Sequence, residues 1–78
     1  MAETRAYVLV ETTVGHGPGV VAALRGMRGL ISVDRVSGPY DVIIVLEAQS
    51  LPELAELVSE QVHAISGVVR TVTCLAMS

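Results

Sequence analysis

Val36-Ser37-Gly38-Pro39-Tyr40-Asp41-Val42-Ile43-Ile44-Val45-Leu46-Glu47-Ala48 lies at the centre of this 78-residue chain, and its reading decides the fold. Ser37-Gly38-Pro39-Tyr40 is a tight connection, because Gly and Pro both favour turns. It leads into a strand, Asp41–Ala48, whose centre Val42–Leu46 has no polar alternate positions. Residues 30–37 read as the strand entering the turn, and their alternation slips around Asp34, which predicts a bulge there. Further upstream, Val20, Ala23, Leu24 and Met27 recur at helical spacing. Val14–Gly19 is the turn before that helix, Pro18 suits its first position, and Gly29 ends it. Gly26 within it costs about 1 kcal/mol relative to Ala, which points to a close backbone contact. Residues 5–13, rich in β-branched and aromatic side chains, read as the first strand.

On the other side of the central stretch, Ser50-Leu51-Pro52-Glu53 matches a capping box: Ser50 caps a helix and Glu53 reaches back to the Ser50 amide. Leu51, Leu54, Val58, Val62 and Ile65 line one face of that helix, and Glu53, Glu56 and Glu60 lie opposite. Ser66-Gly67 closes it, and Val68–Met77 is the last strand. The order is β-α-β-β-α-β, with Val33–Val36 placed in the first half as Val69–Val72 is in the second. This is the split βαβ, ferredoxin-like arrangement of the α+β class. Two right-handed crossovers put both helices on one face of a four-stranded antiparallel sheet. The length excludes a second domain, so residues 1–78 are expected to form one.

The composition then acquires a location. Hydrophobic residues make up 51% of the chain, yet Phe and Trp are absent. A chain of this size buries only about 60% of the surface that its unfolded form exposes. With helices on one face only, exposed strands should alternate apolar and polar. Here the third strand is apolar on both faces, and the first opposes Val8 and Val10 to Tyr7 and Leu9. The fourth opposes Val69, Leu75 and Met77 to Val68, Val72 and Cys74. The open sheet face is therefore built for burial, and a two-fold homodimer is the simplest cover. Burying about 600 Å² per subunit would contribute roughly 15 kcal/mol before association costs.

Several classes are excluded. No apolar run approaches a membrane span, and the N-terminus lacks a signal-peptide core, so no membrane partner is expected. The single cysteine, Cys74, cannot form an internal disulfide and suits a reducing, cytoplasmic setting. The net charge is −3, and all five basic residues are scattered arginines. Direct nucleic-acid binding requires a clustered basic stripe, so none is expected. His16, His63 and Cys74 show no metal-ligand spacing. No nucleophile elbow is present, and no acid–base pair marks a catalytic site. Gly15-x-Gly17-x-Gly19 is short of a dinucleotide fingerprint. No catalytic residue, cofactor or metal is expected.

The loop Ser37-Gly38-Pro39-Tyr40-Asp41 remains. Gly38 permits close backbone approach, Tyr40 offers a flat wall and a hydroxyl, and Asp41 a fixed negative charge. Such a loop suits a zwitterion, main-chain amides taking the carboxylate and Asp41 the ammonium. The same residues also suit a plain turn in which Asp41 caps neighbouring amides.

Val36-Ser37-Gly38-Pro39-Tyr40-Asp41-Val42-Ile43, an amphipathic helix, and Gly67-Val68-Val69-Arg70-Thr71-Val72-Thr73-Cys74 together resemble the Lrp/AsnC family of transcriptional regulators. The likeness is to their ligand-binding domain, the regulation-of-amino-acid-metabolism (RAM) domain. It runs from Ala6 to Met77, with Gly-x-Tyr-Asp its specific part. The chain looks like a stand-alone form without the helix-turn-helix domain. The resemblance implies a non-enzymatic, effector-sensing module of transcription regulation. Its sheet-to-sheet dimer is of the dimeric α/β-barrel type and assembles into an octamer or similar ring. It also implies an amino-acid effector in a cleft between dimers, and full-length Lrp/AsnC regulators as partners. Carried over by position, it assigns ligand binding to Gly38, Tyr40 and Asp41, with Thr71 and Thr73 from the same pocket region. Many family members carry Asp where this chain has Pro39, which removes a backbone donor. Two other readings share the element order. One is a cofactor-free monooxygenase or isomerase of the dimeric ferredoxin-like type. The other is an ACT-type amino-acid-binding domain, suggested by Gly17-Pro18-Gly19-Val20.

Overall fold

Alternation along the central strand sorts the chain into a core side and an open side. The computed structural model describes residues 3–77. Its elements are β1 (Thr4–Thr12), α1 (Gly17–Leu24), β2 (Leu30–Arg35), β3 (Val42–Ala48), α2 (Leu51–Glu56) and β4 (Val68–Leu75). From Leu57 to Val62 the α2 helix continues as a wider π-helical segment. The four strands form one antiparallel sheet in the spatial order β2-β3-β1-β4. This is the ferredoxin-like βαββαβ fold expected from the sequence.

In β3, Val42, Ile44, Leu46 and Ala48 are buried, and in β1 Ala6, Val8 and Val10 are buried beside them. They join Val20, Val21 and Leu24 of α1, and Leu54, Leu57, Val58 and Val62 of the second helix, in one cluster. A single cluster fed by both helices means that both cover the same sheet face. The opposite face carries Tyr7 and Leu9 of β1, Ile43 and Val45 of β3, and Val72 and Cys74 of β4, paired as Leu9 with Ile43 and Val72, Tyr7 with Val45 and Cys74.

Several local expectations need correction. Gly29, not a helix residue, ends the turn after α1: it sits at φ +87, and a Cβ there would lie 2.7 Å from the Glu47 carbonyl oxygen. The helix itself stops at Leu24, so Gly26 lies beyond it, and no atom comes within 4 Å of a Cβ built there. No close contact explains that glycine. The irregularity expected at Asp34 occurs instead between Leu30 and Ser32, which displaces Ile31. The outer strands are shorter than read: β2 ends at Arg35 and β4 at Leu75.

The capping box forms with a shift of one residue. Ser50 Oγ accepts from the Glu53 amide (3.3 Å), but Glu53 Oε1 takes the amide of Gln49 (2.9 Å) instead of that of Ser50. Leu51 is 52% exposed, whereas Leu57 is buried. Leu51 stands at the first helical position, at the end of the helix, while Leu57 and Val58 follow buried Leu54 at spacings of three and four. From Leu57 the helix widens, visible as the His63 amide donating to the Val58 carbonyl five residues back.

The fourth strand also departs from simple alternation. The register pairs Thr12 with Val68 but Glu11 with Arg70, leaving Val69 as an extra residue. Val68 therefore packs on the core, and Val72 and Cys74 face the other way. Thr71, Thr73 and Leu75 share the helix side of the sheet.

Candidate functional site

The hairpin from β2 to β3 is closed by Asp41. Its carbonyl accepts from the Val36 amide and its amide donates to the Val10 carbonyl, each at 2.9 Å. Its carboxylate Oδ2 accepts from the Thr12 amide at 2.8 Å. The β1–β3 ladder ends at the Val10–Val42 pair, so the Thr12 amide, which faces that side, would otherwise lack a ladder partner. Asp41 thus does the capping that the turn reading anticipated. Among the described residues no hydrogen bond reaches its other oxygen, Oδ1.

Gly38 has φ +155 and open space where a Cβ would stand, so the tip of the loop leaves its backbone accessible. Tyr40 is half-buried. The Arg70 guanidinium carbon lies 5.7 Å from its ring centroid, and Arg70 Nη2 donates to the Tyr40 hydroxyl at 3.5 Å. Arg70 Nε also lies 3.4 Å from Glu11 Oε1.

Behind the loop, a cleft of about 240 Å³ runs between Asp41 and the start of α1, lined also by Thr12, Gly17, Pro18, Arg35 and Val36. The α1 helix begins at His16 without a side-chain cap and without an acidic residue in its first turn. The Arg35 side chain lies against Gly17, its Nε 3.4 Å from where a Cβ would be. One wall of the cleft is therefore positive, through a guanidinium and the helix dipole, and the other carries the Asp41 carboxylate.

Thr71 and Thr73 are not part of this cleft. Thr71 Oγ1 meets His63 Nε2 at 2.8 Å on the helix side of β4. Thr73 lines a separate, apolar groove of about 360 Å³ between β4 and the second helix, with Leu51, Leu54, Ala55, Val58, Ser59 and Leu75. Within one chain, the five residues singled out by resemblance thus fall into two groups. Gly38, Tyr40 and Asp41 stand at the hairpin, and Thr71 and Thr73 under the helix.

The sequence reading missed Arg35 and Arg70 as neighbours of the loop. Arg35 ends the strand that enters the hairpin, a placement that could have flagged it. Arg70 reaches Tyr40 only through the β1–β4 register, which sets it opposite Glu11. His16 packs against Gly67, and among the described residues no group of three or more His, Cys, Asp or Glu side chains could hold a metal ion. Among those residues no helix is long and apolar enough to cross a membrane.

The Lrp/AsnC ligand binding domain, as a family model, matches residues 5–78. Among solved structures, TTHA0845 from Thermus thermophilus aligns with a TM-score of 0.91 at 27% identity, covering 96% of this chain and 94% of that one. AsnC from E. coli aligns with a TM-score of 0.91 at 14% identity, covering 96% of this chain and 51% of that one. The transcriptional regulator NMB0573 from Neisseria meningitidis, solved as an L-Met complex, gives 0.86 at 13% identity, with 96% and 50% covered. This chain spans about half the length of those two regulators, and at such identities they show the fold alone. No curated protein matches the chain by sequence. Since the family model matches nearly the whole length, this chain belongs to the Lrp/AsnC ligand-binding domain family.

Proposed function

We propose that this chain is an effector-sensing and assembly module without enzymatic activity. Two copies pack their open sheet faces together, and dimers associate further into a ring such as an octamer. A small amino acid or related metabolite binds at the Gly38-Tyr40-Asp41 loop in the cleft between dimers. Thr71 and Thr73 of a neighbouring copy are the second contributors, because within one chain they stand apart from the loop. Occupancy alters assembly, with itself or with full-length Lrp/AsnC regulators in the cytoplasm, and so modulates transcription without this chain touching DNA.

The observation that carries the reading is the open sheet face. Leu9, Ile43, Val45 and Val72 form its apolar centre, with Tyr7 40% exposed and Val72 38% exposed. Ion pairs flank it: Arg5 with Glu47 at one end and Arg70 with Glu11 at the other. An apolar centre inside a charged rim is the anatomy of a protein interface. Each rim pair holds both signs, so the face complements a copy of itself. For the effector, the opposed charges of Asp41 and Arg35 suit an ammonium and a carboxylate on one small molecule.

Titration calorimetry against the standard amino acids tests the sensing role. Binding to at least one is expected, with loss of about tenfold or more in affinity in Asp41→Asn and Tyr40→Ala, since charged hydrogen bonds are worth about 1.5–3 kcal/mol. No heat across the whole panel would remove the sensing role.

A further inference from the structure

Arg70 touches the loop and the open sheet face at once. Its Nη2 donates to the Tyr40 hydroxyl (3.5 Å), its charge lies over the Tyr40 ring (5.7 Å), and its Nε pairs with Glu11 (3.4 Å). Glu11 stands directly opposite it in the β1–β4 register, on the face that carries Leu9 and Val72. The pairs from Ala6↔Leu75 to Glu11↔Arg70 run in one unbroken register, which places Arg70 on the open face, and the extra residue Val69 immediately precedes it at the end of that ladder.

We propose that Arg70 is a positioning residue that couples occupancy of the Tyr40 loop to association through the sheet face; this rests on the sensing and dimer reading above. Held by both Tyr40 and Glu11, the guanidinium lies along the rim of the face in one arrangement. An arginine side chain otherwise has many rotamers to lose on being ordered, so the two anchors prepare the rim for a partner. An amino acid that engages the ring or hydroxyl of Tyr40 displaces one anchor, and the face then associates less tightly. Linkage makes the effect reciprocal: the associated form binds that amino acid more weakly by the same factor.

The test is the rate of subunit exchange, followed by native mass spectrometry after mixing ¹⁵N-labelled and unlabelled protein. Arg70→Ala and Tyr40→Leu are each expected to speed exchange by about fivefold, the low end for coupled sites. The double variant is expected to be no faster than Arg70→Ala alone, because residues acting as a unit are not additive. Arg70→Lys keeps the charge for Glu11 but lacks the planar, stacking guanidinium, so it should behave as Arg70→Ala. Circular dichroism melts check that each variant is folded. Millimolar amino acids that speed exchange of the original protein should leave the Arg70→Ala rate unchanged. Multiplying effects in the double variant, or full rescue by lysine, would overturn the coupling while leaving the sensing role intact. Non-additive effects together with no amino-acid binding would leave Arg70 and Tyr40 acting as one unit at the rim but overturn the sensing role, and with it the coupling to occupancy. A monomer at every concentration would overturn the dimer and the coupling together.

Discussion

Asp41 carries two jobs that substitution can separate. Its Oδ2 holds the Thr12 amide where the β1–β3 ladder has ended, while its charge faces the cleft. Asp41→Asn keeps an acceptor for that amide and should stay within about 1 kcal/mol of the original stability, yet lose the amino-acid response. Asp41→Ala leaves a part-buried amide unsatisfied and should cost about 1–3 kcal/mol in urea unfolding. The double duty explains why the sequence alone left turn and ligand loop both open: the same residue type serves either. At the far end of the open face, Arg5 Nε donates to Glu47 Oε2 at 2.8 Å. The hydrogen bond from Arg5 holds the Glu47 carboxyl below the ordinary carboxylate range. Glu3 is held above that range, first by its hydrogen bond to Glu47 and then by the like charge there. The two act on stability with opposite signs. The raised Glu3 contributes below its unfolded value, and that contribution is lost as pH rises through the folded value. The lowered Glu47 contributes above its unfolded value, and that is lost as pH falls through the folded value. Melting temperature should therefore rise as pH falls from neutral toward the carboxylate range, then drop in stronger acid. Glu3→Gln should lack the rise; a rise that persists in that variant would contradict the assignment.

At the level of elements, β3 was the most legible part of the chain. Its apolar run bounded by a Gly-Pro turn and a capping box left one reading, and the strand lies within a residue of it. The second helix was legible in its start but not in its path. The stripe read from the sequence includes Leu51 and passes over Leu57, yet Leu51 stands at the helix end and Leu57 follows Leu54 at a spacing of three. Packing against the sheet decides it. Leu57→Ala is expected to cost about 2–4 kcal/mol, as a buried leucine does, whereas Leu51→Ala should cost under about 1 kcal/mol. Equal losses in urea unfolding would contradict that difference in burial. The same limit applies to β4. One extra residue, Val69, puts Val68 and Arg70 on opposite faces despite their spacing of two, and only pairing with β1 reveals it. That is why Arg70 could not be placed beside Tyr40 from the sequence, although the Gly-x-Tyr-Asp loop itself was plain.

The whole molecule is a slab of 40 × 22 × 17 Å with helices on one side. A chain of 8.2 kDa exposes about 4,500 Å² as an average monomer, and this one exposes 4836 Å². On the open sheet face Tyr7 is 40% and Val72 38% exposed, and Leu9, Ile43 and Val45 are partly exposed, so apolar side chains there are accessible to a partner. Val45 lies near the middle of that face, opposite Tyr7 on β1 and Ser32 on β2. A charge placed there should split the assembly without touching the core. Light scattering after size exclusion, at micromolar concentration, reads the assembly directly. A mass of twice 8.2 kDa or an even multiple of it is expected, falling to the monomer in Val45→Asp. A monomeric mass for the unaltered protein, or an assembly that survives Val45→Asp unchanged, would contradict the sheet-to-sheet dimer.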